Sequence, residues 1–222
     1  MSDEVELRIA WTSIAAPTTR SAEVFDDLVG RHRQPHRRYH GLRHVVWVLR
    51  HTRRLEAEIA ECRGATGYDA AIVTAAAYFH DAVYDPRVGD NEERSARLAE
   101  AQLASLDWTP ERCGIVAELV RATAGHLADA DHTRGPAATE RQVLLDADLA
   151  VLGADPAAYA TYVNGVRGEY AHLSAAEWAS GRAAVVESLL ARDPLYATVP
   201  ARSWWEDRAR ANLTAELAGL AR

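Results

Sequence analysis

The sequence predicts an all-α protein, and three observations carry that expectation. Ala, Leu, Glu and Arg dominate the 222 residues, and these lose least on entering a helix. No stretch alternates apolar and polar residues for long enough to make one face of a sheet. Helix-starting chemistry also recurs along the chain. Ser21 precedes AEVFDDLVGRH, and Asp69 precedes AAIVTAAAYFH. Thr109-Pro110 and Asp155-Pro156 each set a capping side chain before a proline at the first helical position, and Ser174 with Glu177 reads as a capping box.

Helices are therefore expected at 21–33, 41–62, 69–83, 91–106, 110–125, 137–153, 156–171, 175–192 and 203–220. The least regular stretches, 84–90 (YDPRVGD) and 127–136 (LADADHTRGP), are rich in turn formers. No internal repeat or low-complexity linker divides the chain. A single domain is expected, with a core over about 36–153 and C-terminal helices over 156–220 packed on it.

Composition narrows the function. The charge balance is 25 basic against 32 acidic residues, net -7, and every basic residue is Arg. An acidic chain argues against broad binding to nucleic acid or anionic membranes. Without Lys there is no Schiff-base lysine and no phosphate-loop GK[ST] motif. Cys62 and Cys113 are too few for a disulfide framework or a Cys-rich zinc site. The start, MSDEVELRIAW, is not a signal peptide, and no apolar run approaches the roughly 20 residues that span a bilayer. A cytoplasmic protein is expected. The six Trp, including Trp204-Trp205, either line a homodimer contact or fill the core.

The chemistry lies in a set of imidazoles and carboxylates. His44 is followed 36 residues later by the pair His80-Asp81 and then by Asp146 and Asp148. Such nitrogen and oxygen donors suit manganese, iron, nickel, zinc or magnesium. In YHGLRHVVWV (39–48), His40 and His44 share one helix face, and His44 continues into Trp47 and Val48 on an inward-turning stripe. A lone histidine there would be a core residue bonded to a carbonyl; a second on the same face, with a His-Asp pair elsewhere, favours a metal. His80 and Asp81 end the apolar segment 70–79, where both side chains can bend toward one ion, or Asp81 caps the loop that follows. In LLDADLAVLG (144–153), Asp148 has Leu144, Leu145, Val151 and Leu152 around it on the apolar face, whereas Asp146 points about 200° away. An unpaired carboxylate on that face costs several kcal/mol, and a cation removes the cost. Asp148 is the favoured ligand and Asp146 the alternative.

The pattern H…HD…D on separate helices resembles the HD superfamily of metal-dependent phosphohydrolases. The segment YHGLRHVVWV is similar to the first metal motif of cyclic-nucleotide phosphodiesterases, whose second histidine binds metal and whose first protonates the leaving group. By that resemblance His44 is a ligand and His40 a general acid. The wider run, from YHGLRH through FHDAVYDPRVGDNEERSA to LLDADLAVLG, AYATYVNGVRGEY and Gly181-Arg182, resembles a bacterial family of predicted HD phosphohydrolases over most of the chain beyond about residue 8. One departure stands out: the second phosphodiesterase motif has a histidine three positions after the aspartate, and Tyr84 stands there.

The resemblance extends to further residues. Asp85 takes the base or second-metal role, or with Pro86 caps the loop. Asn91, Glu92 and Ser95 become pocket residues, although an N-cap and a helix dipole account for most of that motif. His126 lies near the pocket or on a second metal, or ends its helix as a partly cationic imidazole. Arg37, Arg38, Arg43, Arg167 and Arg182 are candidates for phosphate, with Arg43 and Arg182 favoured. The function expected is hydrolysis of a small phosphoester, such as a nucleotide, by metal-activated water. The alternative is a non-catalytic HD module that binds a nucleotide or metal and regulates a partner. A ferritin-like di-iron bundle needs two Glu-x-x-His motifs, and only Glu169–His172 is present.

Overall fold

A computed structural model describes residues 2–63, 68–124 and 137–221. Among the described residues there are ten α-helices and no strand: α1 (Asp3–Trp11), α2 (Thr19–His32), α3 (Leu42–Arg63), α4 (Ala70–Phe79), α5 (Asn91–Ala104), α6 (Pro110–Ala124), α7 (Ala138–Asp148), α8 (Pro156–Glu169), α9 (Ala175–Leu190) and α10 (Val199–Leu220). A short 3-10 turn, Leu149–Gly153, follows α7 directly. The all-α expectation holds.

The helix α4 is the axis of the fold. Asp69 accepts hydrogen bonds from the backbone N–H groups of Ala71 and Ile72, and every residue from Ile72 to Phe79 is buried. A helix that is apolar all round belongs at the centre, and α3, α5, α6 and α7 pack around it. The helix ends at Phe79, not at 83 as expected. His80 is its C-cap, so the His-Asp pair leaves the core at the end of the most buried element. The C-terminal helices dock through the 3-10 turn, which contacts α8 and α10. Its Gly153 has no room for a side chain: a Cβ would collide with the Cα and Cβ of Trp205. Gly153→Ala is expected to destabilise by about 1–3 kcal/mol through overpacking, read as a lower denaturation midpoint.

Other boundaries differ from expectation for local reasons. The helix α1 is unforeseen; Ser2 caps it and Leu7, Ala10 and Trp11 are its buried stripe. Ser21 is not the cap of α2. Thr18 caps that helix, and the Ser21 hydroxyl accepts from Trp11 Nε1 at 2.9 Å. The last helix starts at Val199, capped by Thr198, rather than at 203. Trp205 fills the core at 4% exposure, and Trp204 stacks under the Arg54 guanidinium.

One buried histidine lies beneath the site and makes a pH prediction. His32 Nε2 donates to the Tyr78 carbonyl at 3.2 Å, and Arg37 Nη1 stands 3.5 Å from Nδ1. Burial, and then the Arg37 charge, push its pKa down from 6.5 to about 3. The unfolded chain then takes up this proton below pH 6.5 and the folded chain only below about 3. Stability is therefore expected to fall as pH drops through that window, by about 1.4 kcal/mol per pH unit from this group. Chemical denaturation at stepped pH should show a shallower fall in His32→Gln.

Candidate metal centre

Three separate helices bring the expected ligands to one point. His44 lies in the first turn of α3, His80 caps α4, and Asp148 is the last residue of α7. One ligand atom from each of these three lies within 4.8 Å of the others. His44 Nε2 stands 2.9 Å from His80 Nε2 and 3.1 Å from Asp148 Oδ1, and His80 Nε2 is 3.7 Å from Asp148 Oδ1. Asp81 Oδ2 joins them at 3.4 Å from His44 Nε2 and 3.2 Å from His80 Nε2. Donors around one ion at about 2.0–2.2 Å stand roughly 2.8–3.6 Å apart, so the spacing of the His44, His80 and Asp148 donors fits a shared cation, with Asp81 adjoining both histidines. His80 Nδ1–H donates to the Ala77 carbonyl at 3.0 Å, which leaves the Nε2 lone pair for a metal. His44 Nδ1 is buried without a hydrogen-bond partner among the described residues. Arg37 holds the His-Asp segment in place, donating to the carbonyls of His40, Asp81 and Ala82 at 2.9, 2.7 and 3.2 Å.

The electrostatics fit the same reading. Burial alone would discharge these groups. Against that burial, hydrogen bonds to Asp148 and Asp81 push His44 up to about 10, and His80 is raised by the Asp81 charge. Asp81 in turn is held well below the usual carboxylate range: burial opposes this, and the nearby His80 and His40 outweigh it. The two carboxylates thus favour positive charge among the buried imidazoles, as protons on the rings or as a bound cation. A divalent cation would displace those protons and meet the same demand.

Beside the cluster lies a second constellation that the sequence left unassigned. Glu169, the last residue of α8, has a fully enclosed carboxylate. Its Oε1 accepts from the backbone N–H groups of Arg38, Tyr39 and His40 at 2.7, 2.8 and 2.9 Å. Its Oε2 faces His40 Nδ1 at 2.7 Å and accepts from the Tyr84 hydroxyl at 2.8 Å. Burial raises the Glu169 pKa, yet the bond to His40 and the N–H groups win and hold it at about 2. With Nδ1–H engaged by an anion, His40 keeps Nε2 for other work.

Both constellations reach one cavity of about 470 Å³, the first through His80, Asp81 and Asp148 and the second through His40 and Tyr84. His40, His80, Asp81, Asp148, Tyr84 and Glu92 form its polar end, and α8 and α9 supply a largely apolar wall. Arg182 also lines it, but its Nε and Nη2 donate to the two oxygens of Glu216 at 2.8 and 3.1 Å, and its Nη1 to the Tyr162 hydroxyl at 3.1 Å. This arginine is therefore already neutralised.

Several expected residues lie elsewhere. Asp146 turns away from the cluster and accepts from the N–H groups of Ala197 and Thr198 at 2.8 and 2.7 Å. Asp85 is a turn residue that accepts from Arg87 N–H at 3.0 Å and lines a separate surface hollow with Arg31 and Arg94, outside the lining of the cavity. Asn91 is buried as a brace: its amide donates to the Asp85 carbonyl, and its oxygen accepts from Asp85 N–H. Ser95 braces Val83 in the same way. Arg43 is exposed and outside the cavity lining. Arg37 and Arg167 spend their guanidinium groups on backbone carbonyls. His126 lies outside the described residues.

The chain matches no family model, no curated protein and no solved structure. No described helix is long and apolar enough to cross a membrane.

Proposed function

We propose that this protein is an HD-type, metal-dependent hydrolase of a small phosphoester. One observation carries the reading: the donors of His44, His80, Asp81 and Asp148 cluster at a cavity that His80, Asp81 and Asp148 line together with His40, whose ring Glu169 holds from behind. A divalent cation held there would supply an acidified water near neutral pH and a positive charge for a phosphoryl oxygen. His80 Nδ1, fixed on the Ala77 carbonyl, keeps its ring oriented as a ligand. Glu169 orients His40 through Nδ1, and His40 gives a proton from Nε2 to the departing oxygen. The apolar wall excludes bulk water and so strengthens every electrostatic contact inside. In the overall change a water oxygen bonds to phosphorus, the bond from phosphorus to the organic oxygen breaks with its electron pair, and alcohol and phosphate leave.

A second reading is a non-catalytic module that binds a nucleotide or metal and regulates a partner. Its support is Arg182, the guanidinium in the described lining, which is neutralised by Glu216 instead of being kept for a phosphoryl group. Phosphate release over a panel of phosphomonoesters and nucleotides, measured on metal-loaded protein and on Asp81→Ala, separates the two. Release that Asp81→Ala removes supports the hydrolase; metal-replete protein inactive across the panel supports the module.

A further inference from the structure

The two ends of the cavity differ in kind, and the difference describes a ligand. At one end stand the carboxylates of Asp81 and Asp148 beside the imidazoles, and Glu92 lies in the lining near Tyr170. Along α9 and the turn before it stand Tyr170, Leu173, Trp178, Val185 and Leu189, with Tyr170 nearest the charged groups through Tyr84, Glu92 and Asp81. Tyr170 and Trp178 lie 5.9 Å apart with their planes inclined at 44°, an open aromatic angle and not a closed stack. Val185 is 43% exposed at this end, an uncovered apolar residue on the rim. Gly181 lies between Trp178 and Val185 on α9, and a Cβ there would meet nothing within 4 Å, so the helix surface at this point borders open space. Arg167 braces the wall from behind, with its guanidinium 5.4 Å from the Trp178 ring and donating to the carbonyls of Tyr170 and Leu173.

We infer that the cavity takes a monophosphate ester of an apolar, ring-bearing alcohol, with the ring against Tyr170 and Trp178 and the phosphoryl group at the His44–His80–Asp148 end. The inference rests on the hydrolase reading for its phosphoryl half and on the α8–α9 wall for its apolar half. An aromatic wall with an apolar rim gains by removing a flat hydrocarbon from water. A polar sugar or glycerol against Trp178, Leu173, Val185 and Leu189 loses hydration that these apolar side chains do not replace. Further phosphates would meet three carboxylates and a guanidinium already claimed by Glu216.

The test compares 1-naphthyl phosphate, glycerol 2-phosphate and ATP on manganese-loaded protein, with wild type beside Trp178→Ala and Gly181→Leu. Phosphate release gives kcat/KM, and calorimetry gives binding of 1-naphthyl phosphate independently of turnover. The expected kcat/KM is at least about tenfold higher for 1-naphthyl phosphate than for the other two. Both substitutions are expected to reduce that preference about tenfold, Trp178→Ala by removing the aromatic contact and Gly181→Leu by filling the space. Equal use of glycerol 2-phosphate, preference for ATP, or naphthyl binding indifferent to both substitutions overturns the inference and leaves the hydrolase reading standing. Tight naphthyl binding lost in both variants, without turnover of any ester, supports the ligand class and overturns the hydrolase reading.

Discussion

Asp148→Ala is expected to abolish metal retention and to lower phosphate release by about 10³-fold or more, since roughly 4 kcal/mol of transition-state stabilisation leaves with the ion. Asp148 Oδ1 stands 3.1 Å from His44 Nε2 at the convergence point, and the side chain is almost wholly buried. Without it the three-helix set loses its α7 member. Stability provides a second readout. An ion that binds only the folded chain adds about 2.7 kcal/mol when present at 100 times its Kd. That gain should appear on adding metal to wild type and vanish in Asp148→Ala. Asp146→Ala is the control. Its carboxylate serves Ala197 and Thr198 at the start of α10, so losing it strands two backbone donors and costs about 1–3 kcal/mol each. Metal content should be unchanged. The opposite pattern, metal lost from Asp146→Ala and kept by Asp148→Ala, would reverse the assignment.

Glu169 produces the second large effect, and two substitutions separate its duties. Glu169→Ala leaves three backbone N–H groups, the Tyr84 hydroxyl and His40 Nδ1 without their shared acceptor. A loss of about 3–5 kcal/mol is expected, read as a lower denaturation midpoint. Glu169→Gln keeps an oxygen for the N–H groups but presents an amide N–H toward His40 Nδ1. The histidine then accepts there, and a positively charged ring that donates from Nε2 loses its anionic partner. For a proton donor this is expected to lower kcat by about 10²–10⁴-fold, with KM and metal content little changed. His40→Ala should cost about the same, and the double variant no more than either alone. The carboxylate also leaves a pH signature. Its folded pKa of about 2 is depressed below 4.5, so the stability it adds is present above pH 4.5 and is lost as pH falls through 2. The stability gap between wild type and Glu169→Gln should close over that window.

Much of this arrangement was legible in short-range patterns. The caps at Asp69, Asp155 and Ser174 are read from neighbours two or three residues away, and the structure forms all three. His44 and Asp148 announced themselves as polar residues on apolar stripes, and the choice of Asp148 over Asp146 followed from i±3 and i±4 neighbours alone. Long-range chemistry was not legible. Glu169 lay inside the run used for the family resemblance, but its partners are backbone N–H groups about 130 residues earlier, which no spacing rule reveals. The Arg182 charge reads as available until Glu216, 34 residues later, is seen to hold it. Asp85 and Asn91 are real features of their loop, and they hold each other, which no sequence pattern showed. The helix α1 escaped because Asp3, Glu4, Glu6 and Arg8 mask a stripe of only three buried residues.

The claim that His44, His80, Asp81 and Asp148 together hold a cation is tested most directly by elemental analysis. Protein loaded in turn with manganese, iron, nickel, zinc and magnesium, then desalted, is measured for metal per chain beside Asp148→Ala and His44→Ala. At least about one ion per chain is expected in wild type for one of these metals, and far less in both variants. Wild-type protein that retains no metal under any loading, or retains as much as both variants, would contradict the account.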